Sequence, residues 1–415
     1  MKLKWICSCL LVLGVVGVWG VVPSVAAEGD VICRAETLPE TTPWDLEALS
    51  RPPAFEWGEG EEVRTLYFAG EPYQGKPTRV FAYYATPGSL AGDASLDKQL
   101  PTMVLVHGGG GQAFAEWARL WASRGYAAIA MDLAGNGPER VRLADGGPNQ
   151  GNEEKFGAIN EPVTDQWSYH AVANVIRAHS LVRSFAEVDA DRTAITGISW
   201  GGYLTCIVSG LDNRFKAAVP VYGCGFLQIN SAWMDVFAAM SAAERSKWNR
   251  LWDPSQYVGS AAMPMLFVNG GNDFAYPPDS YAKTFELVKT AKNLHFVPNL
   301  PHGHIFDRPQ SIEVFIDQQL RGGVPLAKVG PLEIGDQVSA RVKSKTKLVA
   351  AELHYTKGPL PVKRDMPRDW VSVPASLEGD RIAAELPPAG ATIWFLTVRD
   401  ERGVTVASEI VLPGE

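Results

Sequence analysis

From about Val63 to Leu320 the chain repeats one pattern. A short, unbroken apolar run is followed by a turn and then by apolar residues at helical spacing. A strand buried on both faces reads as a continuous apolar run, not as an alternation. TMVLVHG, YAAIAMDL, RTAITG, FKAAVPVYG, MPMLFVNG and NLHFVPN are such runs. Among them, AFAEWARLWASRG, TDQWSYHAVANVIRAHSLVRSF and SYAKTFELVKT carry helical periodicity. Parallel neighbours can be joined only by a crossover, so this order predicts an α/β fold with a mostly parallel sheet and helices on both faces. Just upstream, VRTLYFAG and TRVFAYYATP alternate and are expected as an antiparallel pair.

The pattern stops after Leu320. Short strands and Pro/Gly turns follow, with no helix signal. They predict an immunoglobulin- or fibronectin-like β-sandwich over 325–415, after an α/β domain over 61–322. A chain of 415 residues has room for both, since single cores stop growing near ~250–300 residues. Residues 28–60, rich in Pro and Glu, read as an extended N-terminal segment. Residues 1–27 read as a signal peptide: Lys2 and Lys4 precede an uncharged apolar run, and Ala26 or Ala27 offers a cleavage site. An uncleaved membrane anchor is the rival reading. Cleavage predicts a secreted or periplasmic protein with no membrane attachment. Three scattered cysteines would then remain, Cys33, Cys206 and Cys224, which make no disulfide framework. Cys206 and Cys224 read as small buried apolar residues. The net charge of −8, with no Lys/Arg run beyond the first residues, argues against nucleic acid as the main partner.

The chemistry-bearing residues all follow predicted strands. Gly197-Ile198-Ser199-Trp200-Gly201-Gly202 stands between a strand and an apolar helix-like segment. A serine held up on so tight a corner needs neighbours without bulk, which Gly197 and Gly201 supply. Ser199 is thus the expected nucleophile. The loop His107–Gly111 can turn glycine amides toward a developing oxyanion, through Gly109 or Gly110, with the Trp200 amide as second donor. It lacks the Lys-Ser/Thr of a phosphate-binding loop, and His107 is expected to brace it. Asp273 follows the MPMLFVNG strand and can orient a histidine, while Asp279 is expected to cap the next helix. His302, four residues beyond Pro298, is the expected base, with His304 as the alternative. No third ligand accompanies that His-x-His pair, so no metal is expected.

Residues 63–320 resemble the α/β-hydrolase superfamily, whose Ser…Asp…His order they share. Within it the chain resembles acetyl xylan esterases/cephalosporin deacetylases, dienelactone hydrolases and prolyl oligopeptidase-type catalytic domains. AEVDADRTAITGISWGG, MDLAGNG, NDFAYPP and VPNLPHG carry that likeness, and the last favours His302 over His304. It departs at HGGGG, where the deacetylases carry a tyrosine-containing sequence. The short stretch ahead of Val63 is not expected to form the propeller of the prolyl oligopeptidases.

The resemblance implies a serine esterase that acts by acyl transfer through Ser199, His302 and Asp273, without cofactor. Its substrate would be a small-molecule or polysaccharide ester. Two rival readings are a prolyl oligopeptidase-type peptidase and a non-catalytic binding protein on this scaffold. An acidic cluster for a peptide's amino end, such as Glu153 and Glu154, would favour the peptidase. The helical insertion 225–262 places Trp233, Trp248 or Trp252 as candidate pocket walls for substrate.

Overall fold

The computed structural model describes residues 38–360 and 366–412. The expected signal peptide, the first part of the N-terminal segment and Cys33 lie outside the described residues. Among those residues, no helix is long and apolar enough to cross a membrane.

The strands of the first part are β1 (Phe55–Trp57), β2 (Arg64–Ala69), β3 (Arg79–Ala85), β4 (Leu100–Val106) and β5 (Ala127–Met131). After them come β6 (Val188–Ile198), β7 (Ala217–Val221), β8 (Met265–Gly270) and β9 (Lys292–Val297). They form one sheet in the order β1-β2-β3-β5-β4-β6-β7-β8-β9, parallel from β5 onward. β2 and β3 pair antiparallel, as their alternation predicts. Every residue of β4, β5, β7 and β8 is buried, which explains their unbroken apolar runs. Helices Ala115–Ser123, Trp167–Arg183, Trp200–Leu211 and Pro278–Leu287 make the crossovers.

The N-terminal segment is less extended than its composition suggests. Asp45 accepts from the Ala48 amide and caps a helix, Leu46–Ser50, whose Leu46 and Leu49 are buried. β1 then pairs with β2 as an edge strand.

The region beyond helix Ser311–Arg321 is all-β: β10 (Lys328–Val329), β11 (Glu333–Ile334), β12 (Gln337–Lys343), β13 (Leu348–Thr356), β14 (Trp370–Pro374), β15 (Ser376–Glu378), β16 (Arg381–Glu385), β17 (Ile393–Asp400) and β18 (Thr405–Ala407). β18 pairs with β9 through Ala407 and Leu294, so β18-β17-β13-β14 prolong the central sheet to thirteen strands. β10, β11, β12, β15 and β16 form a second sheet. Trp394 in β17 is buried, as its apolar strand predicts.

The chain reverses direction across the sheet between β4 and β6, which sit side by side while β5 flanks β4 on the far side. Loops leaving β4 and β6 therefore diverge and open a crevice at the strands' C-terminal ends, where open α/β sheets place their ligands.

Candidate active site

Ser199 closes β6 and begins helix Trp200–Leu211 at φ 59°, ψ −119°, a conformation that costs a non-glycine residue strain. The corner is this tight because the helix is pressed onto the sheet. A Cβ at Gly201 would run into the Val106 carbonyl, and one at Gly197 into the Gly201 carbonyl. Ser199 Oγ lies 3.0 Å from His302 Nε2, and His302 Nδ1 lies 2.7 Å from Asp273 Oδ2. Nδ1 donates to that carboxylate, which leaves Nε2 free to accept from the hydroxyl.

Asp273 is 1% exposed. Its other oxygen accepts from the Ala275 and Tyr276 amides, both at 2.8 Å, so one side chain both closes the turn and holds the imidazole. Asp279 does not cap its helix. It sits inside the first turn and accepts from Asn230 Nδ2, while Pro277 stands at the cap position. Rings of Tyr222 and Phe274 pack on His302 at 4.6 and 5.1 Å.

His304 lies close by with a different set of partners. Its Nε2 accepts from the Gly108 amide at 3.0 Å, and its ring packs on Phe114. Burial pushes its pKa down to about 4, so it is a neutral brace for the glycine loop. His107 braces the loop from the other side. Its Nδ1 meets the Gly108 carbonyl at 2.8 Å, and its Nε2 accepts from the Leu133 amide at 2.9 Å. Between these supports Gly109 and Gly110 reach the cavity wall, Gly110 at φ 66°. The Trp200 amide, in the first turn of its helix, has no carbonyl four residues back within the helix to receive it.

The cavity is about 300 Å³, in the range that suits a small ligand or one group of a larger one. Trp233, Trp200 and Phe274 form its apolar wall. Trp248 does not, contrary to the sequence expectation. It is fully buried, stacks on Phe156 at 5.3 Å and donates to the Lys155 carbonyl at 2.8 Å. Trp252 likewise donates from the interior to Gln166. Trp248 and Trp252, four residues apart on helix Ala242–Trp252, serve as packing, and of the insertion's three tryptophans only Trp233 lines the cavity.

Two contributors carry no sequence signal. Lys155 lines the cavity, whereas the preceding Glu153 and Glu154 do not. Arg368, from the all-β region, donates to the Gly271 carbonyl at 2.5 Å, two residues before Asp273. Among the described residues no cluster of His, Cys, Asp and Glu has the arrangement of a metal site.

The model of the acetyl xylan esterase (AXE1) family matches residues 38–275, more than half of the chain. That of the PhoPQ-activated pathogenicity-related proteins matches residues 222–366. Acetyl xylan esterase 1 from Thermoanaerobacterium sp. JW/SL YS485 aligns with a TM-score of 0.53 over 68% of this chain and 95% of that one, at 18% identity. The acetyl xylan esterase from Paenibacillus sp. R4 aligns with a TM-score of 0.53 over 66% and 92%, at 22% identity. At these identities the likeness is one of fold. The uncharacterized peptidase YuxL of Bacillus subtilis (strain 168) is 24% identical over 235 residues, which are 52% of this chain and 32% of that protein. The chain thus spans about a third of that curated relative's length.

Proposed function

The chain belongs to the acetyl xylan esterase (AXE1) family and is a serine hydrolase, and from that premise we propose that it hydrolyses carboxylic esters, with acetyl groups on carbohydrate as the substrate class. The observation that carries this reading is the unbroken line from Ser199 Oγ through His302 to Asp273. Ser199 attacks the ester carbonyl while His302 Nε2 takes its proton, and Asp273 holds the ring in the required tautomer and stabilises its charged form. The Trp200 amide and the Gly109–Gly110 turn receive the oxyanion. His302 then protonates the leaving alcohol, and with a water as nucleophile it acts as base again to clear the acyl-enzyme. No step in this sequence calls for a cofactor. The signal-like N-terminus supports export as the setting.

A peptidase that trims from an amino terminus needs a carboxylate to hold the ammonium group. Among the described residues the cavity wall has no acidic side chain and carries a lysine instead, which favours the esterase. The test is turnover of p-nitrophenyl acetate, p-nitrophenyl butyrate and prolyl-p-nitroanilide by the full chain and by Ser199→Ala. Ester turnover that disappears in the variant, with acetate preferred and anilide untouched, is the expected result. Anilide turnover would transfer the reading to the peptidases.

A further inference from the structure

One charged side chain on the cavity wall has no part in that chemistry. Lys155 ends the short helix Asn152–Lys155, in the polar, Gly-rich loop between β5 and the long helix Trp167–Arg183. It is only 8% exposed and shares the wall with Ser199, Trp200, Trp233 and His302. Its ammonium lies 4.3 Å from the centre of the Trp200 ring and 6.0 Å from that of Trp167. Among the described residues no carboxylate forms an ion pair with it. Burial pulls its pKa down to about 8, and the neighbouring Glu154 opposes that pull.

An ammonium that loses much of its hydration without an ion-pair partner is costly, and a ring face offsets only part of that cost. The carbonyl of Lys155 accepts from the indole of Trp248 at 2.8 Å, which fixes its backbone, and the residue lines the same cavity as the nucleophile. Arg140, at the glycine loop, donates to the Gly110 carbonyl and adds positive potential on the same side.

We propose that Lys155 anchors a carboxylate on the substrate, so that the ester taken by this site carries an anionic group within a side chain's length of the scissile bond. This deepens the esterase reading above and rests on it. The carboxylate can sit on the acyl side, as in a half-ester of a dicarboxylic acid, or on the alcohol side, as in an O-acetylated uronic acid. In either case it makes a charge-assisted bond to the ammonium and raises the lysine's pKa again.

The experiment is a binding titration on Ser199→Ala in the full chain, read from tryptophan fluorescence because Trp200 and Trp233 line the cavity. One arm compares monomethyl succinate with methyl butyrate. The other compares methyl 2-O-acetyl-glucuronoside with methyl 2-O-acetyl-xyloside. The expected result is binding about tenfold or more tighter for the anionic member of at least one pair, the scale of a close charge pair. That ratio falls to about one when Lys155→Met or Lys155→Gln is added, and survives in part with Lys155→Arg. Equal affinities in both arms, or a preference that persists in a folded neutral variant, would overturn the proposal. Should both neutral variants fail to fold, the ratio in the Lys155-intact protein decides alone. Binding needs no turnover, so an inactive wild type would remove the esterase reading without deciding this one.

Discussion

Arg368→Met is expected to slow ester hydrolysis from outside the proposed catalytic residues. Arg368 belongs to the all-β region, is 4% exposed, and reaches across to the loop that carries Asp273. Its guanidinium donates to the carbonyls of Gly271 at 2.5 Å, Pro359 at 2.7 Å and Leu360. Its backbone amide donates to Asn272 Oδ1 at 2.8 Å, and its carbonyl accepts from Asn272 Nδ2 at 3.2 Å. Burial pulls its pKa down to about 10, which leaves it charged at neutral pH. Methionine keeps the apolar stem and removes the three donors. Pro359 is exposed and Leu360 half-buried, so water can replace those two bonds, but Gly271 is buried. An abandoned buried carbonyl costs about 1–3 kcal/mol, and the loop will shift to find water. A displacement of ~1 Å in a catalytic group costs about a hundredfold in rate. With p-nitrophenyl acetate well below the melting temperature, kcat should fall by about ten- to a hundredfold. KM should stay within about threefold, because the cavity wall is untouched, and Arg368→Lys should recover part of kcat. A lowered melting temperature with unchanged kcat would refute the idea that the all-β region positions the acid.

The two tryptophans of the insertion should part company: Trp248→Ala opens a cavity in the core and should cost about 3–5 kcal/mol in urea unfolding, whereas Trp233→Ala should mainly change KM across acyl lengths. Stability should decline as the pH falls from about 6.5 to about 4. Burial holds the pKa of His295 and of His304 at about 4, so the unfolded chain binds protons first in that window, and each group contributes up to about 1.4 kcal/mol per pH unit. Equal urea midpoints at pH 7 and pH 4.5 would contradict this. Cys206 and Cys224 are free, fully buried and pushed to higher pKa by that burial. They should react with a thiol reagent only on unfolding, and fast labelling of the native protein would show the packing to be wrong.

The parts legible in the sequence were those fixed by local sterics and by burial on both faces. The runs that became β4, β5, β7 and β8 are buried along their whole length and so had to be mostly apolar, and the Ser199 corner had to carry glycines at 197 and 201. Separately, Asp273 and His302 each follow a strand at a distance that a single loop can span. What stayed hidden depends on contacts far apart in the chain. β18 is three residues long and joins the central sheet only because it meets β9 through one residue pair. Leu46 and Leu49 look like any apolar pair in a Pro/Glu-rich stretch until a helix beneath them supplies a partner. Trp233 and Trp248 belong to the same tryptophan-bearing insertion, and only tertiary packing decides which one faces the cavity. Lys155 follows two glutamates in a polar loop, so nothing local marks it as the side chain that turns inward.

The most direct measurement is covalent labelling of the full chain with an acyl-like fluorophosphonate, followed by peptide mass mapping. Activation by His302 predicts stoichiometric modification at Ser199, lost by several orders of magnitude in rate with His302→Ala and reduced far less with His304→Ala. Modification at another serine, or a labelling rate that responds only to His304, would contradict the assignment of nucleophile and base.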